Sequence, residues 1–324
     1  MKAAEHVLPT VTGATLRPGA KLRLDAHGHA WIAPPALAVE PVPPLNDEGR
    51  LVAGLARFSA AAAPRRAALL DCQAPGCGRD AAALARIAAK SGVAIAALTG
   101  FHVSRAYPQG LRPWTTTEGA LGAFMRELEG GFREAPMARA AALKAAYSGV
   151  PEEEDPCWEA AIEACKQTGS LLVVHTEGGA GVEELVTWLQ ARDVPTERVY
   201  LLDVDRRDDA GLHAELARAG VLLGFAASLR PSAGPDAEPF TLLSRLLEEG
   251  LARSVAVGLD LQSPTQWESD DRVRAAAGPA TLVTVVEAQL QRLGAGEDDI
   301  DALLGGTLLE RTARPEIPPA RRGA

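Results

Sequence analysis

Short, continuous apolar runs recur along the chain at Leu22–Leu24 leading into His27, Ala67–Asp71, Ala94–Thr99, Ala141–Ala146, Leu171–His175, Val199–Asp203, Val221–Phe225 and Val255–Asp260. Runs of this kind suit strands buried on both faces. Between most of them lie amphipathic stretches with helical spacing: Asp80–Ser91, Thr117–Gly130, Cys157–Thr168, Val182–Arg192, Asp208–Ala219, Pro239–Glu249 and Pro279–Leu293. A further helix is expected near Glu48–Ala61. Strands alternating with helices imply βαβ units and a parallel sheet. Eight such units in 324 residues predict an α/β fold, a closed (β/α)8 TIM barrel rather than an open sheet. No linker composition divides the chain, so residues 1–314 read as one barrel domain. Ala30–Arg50 is proline-rich and reads as a loop. The Pro- and Arg-rich tail Pro315–Ala324 is expected to be disordered.

Composition narrows the classes. Hydrophobic content of 47% and charged content of 23% are those of a soluble globular protein. A net charge of -9 argues against a nucleic-acid surface and against an anionic membrane surface. No apolar run is long enough to span a bilayer, and no secretory leader is recognisable. Cys72, Cys77, Cys157 and Cys165 read as reduced thiols of a cytoplasmic protein. Cys72 and Cys77 lack the neighbouring ligands of a zinc site, and Cys157 and Cys165 read as helix packing.

Chemistry enters at Asp25-Ala26-His27-Gly28-His29. An H-x-H at a strand end puts two imidazoles on one face, because strand side chains alternate with period two. Two of only six histidines are used here, and paired imidazoles suit a metal better than a core. In a parallel barrel, functional groups stand at the C-terminal strand ends. There the chain offers His27 and His29, Lys144, His175, Asp203 and Asp260. Polar groups at five strand ends, aimed at one mouth, are hard to explain as packing, since uncompensated buried charge is costly.

These residues fall into a longer series: Leu70-Asp71-Cys72 with Gly76-Cys77-Gly78-Arg79-Asp80, Thr99-Gly100-Phe101 with Tyr107-Pro108, Leu143-Lys144-Ala145-Ala146, Val174-His175-Thr176 with Gly178-Gly179, Arg198-Val199 through Asp208-Asp209, and Gly258-Leu259-Asp260. In order and spacing the series resembles the phosphotriesterase-related branch of the amidohydrolase superfamily, from about Thr12 to about Arg314. The resemblance implies a TIM barrel holding two divalent ions, zinc or alternatively manganese, bridged by a hydroxide and a carboxylated lysine. By position, His27, His29 and Asp260 would hold the more buried ion and His175 the more exposed one. Carboxylated Lys144 would bridge both, and Asp260 would pass a proton to the leaving group. Read without the other ligands, Lys144 is instead a barrel lysine paired with Asp260.

The pattern breaks once. The family carries histidine, in a Gly-His-x-Asp context, where this chain has Leu202-Asp203-Val204-Asp205. An ionised Asp203 ligand cancels the net positive charge of the metal cluster, weakening its Lewis acidity. It also shifts preference from zinc toward manganese. A carboxylate is shorter than imidazole, which leaves open whether Asp203 reaches the exposed ion.

Around the mouth, His102, Arg230 and Trp267 are candidates for substrate contact, with Tyr107 and Trp114 as further rim aromatics. Arg105, Arg112, Arg206 and Arg230 would together suit a phosphate or carboxylate on the substrate. Scattered surface arginines are the alternative. Gly76, Gly78 and Arg79 are turn residues that stand near the site, and 231–236 is long enough for a lid. His6 and His213 are expected to be solvated. The expectation is a cytoplasmic metal-dependent hydrolase, with a metal-bound hydroxide attacking a lactone, carboxylic ester or amide of a small organic, anionic or neutral substrate. Organophosphate hydrolysis would be a side activity. The alternatives are a one-metal amidohydrolase on His27, His29 and Asp260, and a catalytically degenerate barrel serving as a binding or assembly partner. The expected partner is a small molecule, with a homodimer as the family-like assembly.

Overall fold

The computed structural model describes residues 5–149, 155–226, 238–267 and 278–317. Eight parallel strands follow one another around a barrel in sequence order: β3 (Leu22–Gly28), β4 (Arg66–Asp71), β5 (Ala94–Gly100), β6 (Ala142–Tyr147), β7 (Leu172–Thr176), β8 (Val199–Leu202), β9 (Leu222–Phe225) and β10 (Val255–Val257). The fold is a (β/α)8 TIM barrel. Seven helices of its outer layer are α1 (Glu48–Ala62), α2 (Ala81–Ser91), α3 (Thr117–Met125), α4 (Pro156–Thr168), α5 (Val182–Gln190), α6 (Ala210–Arg218) and α7 (Glu238–Glu248). Asp47, Asp80, Thr116, Asp155 and Asp209 cap α1, α2, α3, α4 and α6 by accepting first-turn N–H groups. The amphipathic stretch 279–293 is less regular than expected, with a π-helical turn at Leu282–Glu287 before a short helix at Ala288–Arg292. No helix among the described residues is long and apolar enough to cross a membrane.

Period-two alternation divides the strand side chains into two layers. Leu24, Leu70, Leu98, Val173, Tyr200 and Leu222 fill the barrel interior. Leu69, Ile95, Leu143, Val174, Leu201 and Leu223 pack outward against the helices. In β3 the alternation changes phase. Asp25 pairs with Leu69 but Gly28 pairs with Asp71, so β3 carries one residue more than β4 over this span. That extra residue brings His27 and His29, rather than Gly28, to the interior. Gly28 faces outward, where a Cβ would stand 2.6 Å from Leu69.

Closure joins β10 to β3. Asp260 N–H donates to the His27 carbonyl at 2.7 Å. The Asp25 carboxylate accepts from Leu259 N–H at 3.0 Å and His27 N–H at 3.2 Å. Gly258 permits the approach, since a Cβ there would lie 2.3 Å from His27 N. At the other end, buried Arg23 binds Glu287 through Nε and a terminal nitrogen at 2.8 and 2.6 Å, and Asp301 at 2.7 Å.

A second sheet was not legible in the sequence. β1 (His6–Pro9) pairs with β2 (Thr15–Leu16) and with β11 (Arg314–Pro315), both antiparallel. The pairing draws the start of the expected tail into the fold. Glu316 N–H bonds the Glu5 carbonyl, while 318–324 lie outside the described residues.

Asp25→Ala leaves the Leu259 amide unpaired at the closure, and is expected to cost about 2–3 kcal/mol. Asp25→Asn keeps an acceptor and should cost less than half as much, measured by chemical denaturation. Equal losses would show that the carboxylate does not tie β3 to β10.

Candidate metal centre

His27, His29 and Asp260 converge just inside the C-terminal end of the barrel. Each histidine Nε2 lies 3.5 Å from Asp260 Oδ1. That exceeds the usual length of an N–H···O bond. It matches the roughly 3.3–3.5 Å expected between two donors on one tetrahedral ion. One donor atom from each of the three residues lies within 4.8 Å of the others, and all three residues are buried. His27 Nδ1 and His29 Nδ1 are buried without hydrogen-bond partners.

Protonation suits a cation. Burial pushes the His27 imidazole down to about 4, against the pull of Asp260 and Asp203. Burial opposes ionisation of Asp260 as well, but His27, His29 and the Gln262 amide outweigh it and hold the carboxyl well below the usual carboxylate range. Neutral imidazole and ionised carboxylate are the forms a divalent ion requires. Gln262, which the sequence reading missed, donates its side-chain N–H to Asp260 Oδ1.

Asp203 and His175 form an adjoining pair. His175 Nδ1 lies 3.0 Å from Asp203 Oδ2, and His27 Nδ1 lies 3.8 Å from Asp203 Oδ1. By strand alternation Asp203 should follow Leu201 into the helix layer. Its backbone is left-handed instead, with φ 64, and turns the carboxylate into the mouth. Asp260 is also left-handed, with φ 49. Aspartate is among the side chains that tolerate this region best. Burial works against ionisation of Asp203, yet His27 and His175 hold its carboxyl below the usual value. Burial likewise lowers His175, but Asp203 and Glu177 raise it overall. Glu177 also went unnoticed, although it stands two residues after His175 and so shares its face.

Lys144 lies on the interior face of β6 and is 2% exposed. Among the described residues no carboxylate comes within ion-pairing distance of it, so the expected alternative, a Lys144–Asp260 pair, does not form. The His102 ring lies 5.0 Å from that of His175, edge to face. Its Nδ1 accepts the Val103 N–H, so it stands beside the centre without joining the His27–His29–Asp260 group.

Several expected rim residues serve the scaffold instead. Trp267 is 1% exposed; its indole N–H donates to the Leu261 carbonyl and its ring covers Gly54. The indole is thus engaged with the scaffold on both its polar and its apolar side. Tyr107 is fully buried, its hydroxyl accepting from His102 N–H. Trp114 packs edge-on to Phe124. His213, expected in solvent, is buried and its Nε2 bonds the Val204 carbonyl at 3.0 Å, because α6 turns that face inward. His6 is exposed. The expected arginine cluster is largely neutralised: Arg105 pairs with Glu40 and Glu177, and Arg112 with Asp155. Arg79 grips Glu127 and Glu134 away from the mouth. Arg206 remains 45% exposed, 3.9 Å from Asp260 Oδ2. Arg230 and the lid-length segment 231–236 lie outside the described residues. The cysteines are all buried and free.

The sequence matches the model of the phosphotriesterase family over residues 13–306. No curated protein matches it. Among solved structures, a lactonase from Listeria monocytogenes superposes with a TM-score of 0.80 at 18% identity, covering 95% of this chain and 99% of its own. An amidohydrolase from Mycoplasma synoviae gives 0.83 at 20% identity, covering 97% and 94%. A phosphotriesterase homology protein from Escherichia coli, with phosphate in its active site, gives 0.76 at 20% identity, covering 88% and 98%. At these identities the likeness concerns the fold.

His29→Ala should abolish tight retention of a divalent ion, read as metal per chain by mass spectrometry, while His102→Ala should leave it within about twofold. Loss in both would place His102 among the ligands.

Proposed function

Because the chain belongs to the phosphotriesterase family, we propose that it is a metal-dependent hydrolase acting on a lactone, carboxylic ester or amide of a small organic molecule. The buried triangle of His27, His29 and Asp260 carries this reading. The Listeria and Mycoplasma relatives are a lactonase and an amidohydrolase, activities in which water cleaves an acyl bond. A divalent ion at the triangle, zinc or manganese, would supply Lewis acidity toward water and the substrate carbonyl.

The chain's own groups then have separable tasks. Gln262 fixes the Asp260 carboxylate through Oδ1. Asp260 Oδ2, on the side of Arg206, takes a proton from the attacking water and returns it to the leaving oxygen or nitrogen. Asp203 holds Nδ1 of His175, which fixes the ring and its tautomer. Arg105 and Arg112 are committed to carboxylates, so Arg206 is the described mouth arginine best placed to receive an anionic group on the substrate. Lys144, buried on β6, would hold a second ion only as a carbamate, formed when its ammonium loses a proton and the free amine adds carbon dioxide with release of a second proton; this would exchange a buried cation, a costly species, for an anionic ligand.

A second reading rests on the His175–Asp203 pair. His175 Nδ1 is engaged by Asp203 Oδ2, and among the described residues the group able to hold an ion is His27, His29 and Asp260 alone. One ion per chain then suffices, and Lys144 is structural.

Metal content of protein purified without added metal separates the two: about two ions per chain for the bridged centre, about one for the single site. Chelation should abolish hydrolysis across a lactone and acyl-amide panel, and reconstitution should restore it. Protein that retains no ion after reconstitution would overturn both readings and favour a non-catalytic barrel. Under the single-site reading, Asp203→His is expected to raise the stoichiometry toward two. Arg206→Met should raise KM for anionic lactones about tenfold, the worth of one charge-assisted contact, with kcat and neutral lactones little changed. An equal effect on both substrate types would remove Arg206 from recognition.

A further inference from the structure

A cleft with a cavity volume of about 570 Å³ opens at the opposite end of the barrel from the metal centre. It lies between the β1–β2–β11 sheet, the segment 128–139 and the C-terminal end of α4. Its walls include Val7, Pro9, Leu128, Met137, Pro315 and Ile317. Volume and apolar lining are those of a small-molecule pocket.

One lining residue carries a charge that its structural contacts do not answer. Arg314 is 9% exposed. Its terminal nitrogens donate to Ser170 Oγ and the Ala140 carbonyl, each at 2.7 Å, and Nε has no partner. Among the described residues no carboxylate lies within ion-pairing distance. Burial, with Arg139 and Arg198 nearby, pulls the guanidinium down to about 10 against the attraction of Glu129. A buried cation without a counter-charge is expensive, and its two neutral acceptors could be served by an uncharged amide. Arg23 and Arg79, comparably buried, each hold carboxylates directly.

We propose that this cleft binds a small monocarboxylate with an apolar body, its head on Arg314 and its body along the apolar walls. Glu129, Glu316 and Arg139 also line the cleft; with Arg139 offset by one of the two carboxylates, the other disfavours a second negative charge on the ligand. The site is separate from the metal centre, and the proposal does not depend on the hydrolase reading.

The test is calorimetric titration of octanoate into the full chain, with octanamide and the dicarboxylate suberate as comparisons. Octanoate should bind once per chain, with octanamide and suberate at least about tenfold weaker, the scale of one charge-assisted interaction. Arg314→Gln should weaken octanoate by a similar factor. Gln167→Trp, a change of an exposed wall residue that fills the cleft, should do the same and decides the matter if Arg314→Gln does not fold. His29→Ala should leave binding unchanged. Absence of binding, equal affinity for octanamide, or binding lost in His29→Ala but kept in Gln167→Trp would each overturn the proposal.

Discussion

Between Asp25 and Gly28 the first barrel strand carries one residue more than its neighbour, and the closing strand is hydrogen-bonded to that same stretch. Side chains on a strand alternate between two faces, so a single extra residue exchanges inside for outside beyond it. Without it, Gly28 would face the barrel interior and both histidines the helices. The closure holds the exchange in place. Asp25 spans β3 and β10 with one carboxylate, and the His27 carbonyl receives the amide of Asp260. The same contact that shuts the barrel therefore sets the distance between the histidines and the carboxylate they share.

Electrostatics explains why so much polar chemistry is tolerated there. His27, His29, Lys144, Asp203 and Asp260 are all nearly excluded from water. Burial disfavours every charged form, and the outcome for each group depends on its neighbours. Burial outweighs the two carboxylates at His27 and lowers its imidazole to about 4. Asp260 and Asp203 are kept ionised by the imidazoles around them. The left-handed backbone at both aspartates is a local cost at positions that aim carboxylates into the mouth, as strained residues at functional sites do.

The arginines show how pairing, not position, decides a role. Arg105, Arg112 and Arg206 all follow strand ends, and sequence spacing treats them alike. In the folded chain Glu40, Glu177 and Asp155 neutralise the first two, while Arg206, beside Asp260, keeps a solvent-facing guanidinium. Carboxylates distant in sequence make that distinction, and no local pattern announces them.

Much of the architecture was written in local sequence. The eight apolar runs coincide with the eight strands, and capping aspartates mark the helix starts, because strand burial and helix capping depend on a few neighbouring residues. The H-x-H and the polar residues at the later strand ends likewise located the mouth. Tertiary structure decided the remainder. The β1–β11 pairing joins the two ends of the chain, and Trp267, Tyr107 and His213 are buried by elements remote in sequence. Whether Asp203 faces the mouth depended on one backbone angle, and whether it has a partner depended on His175 across a neighbouring strand. Such facts arise from contacts between distant segments, which set burial, pairing and charge but leave no periodic trace in the residues that make them.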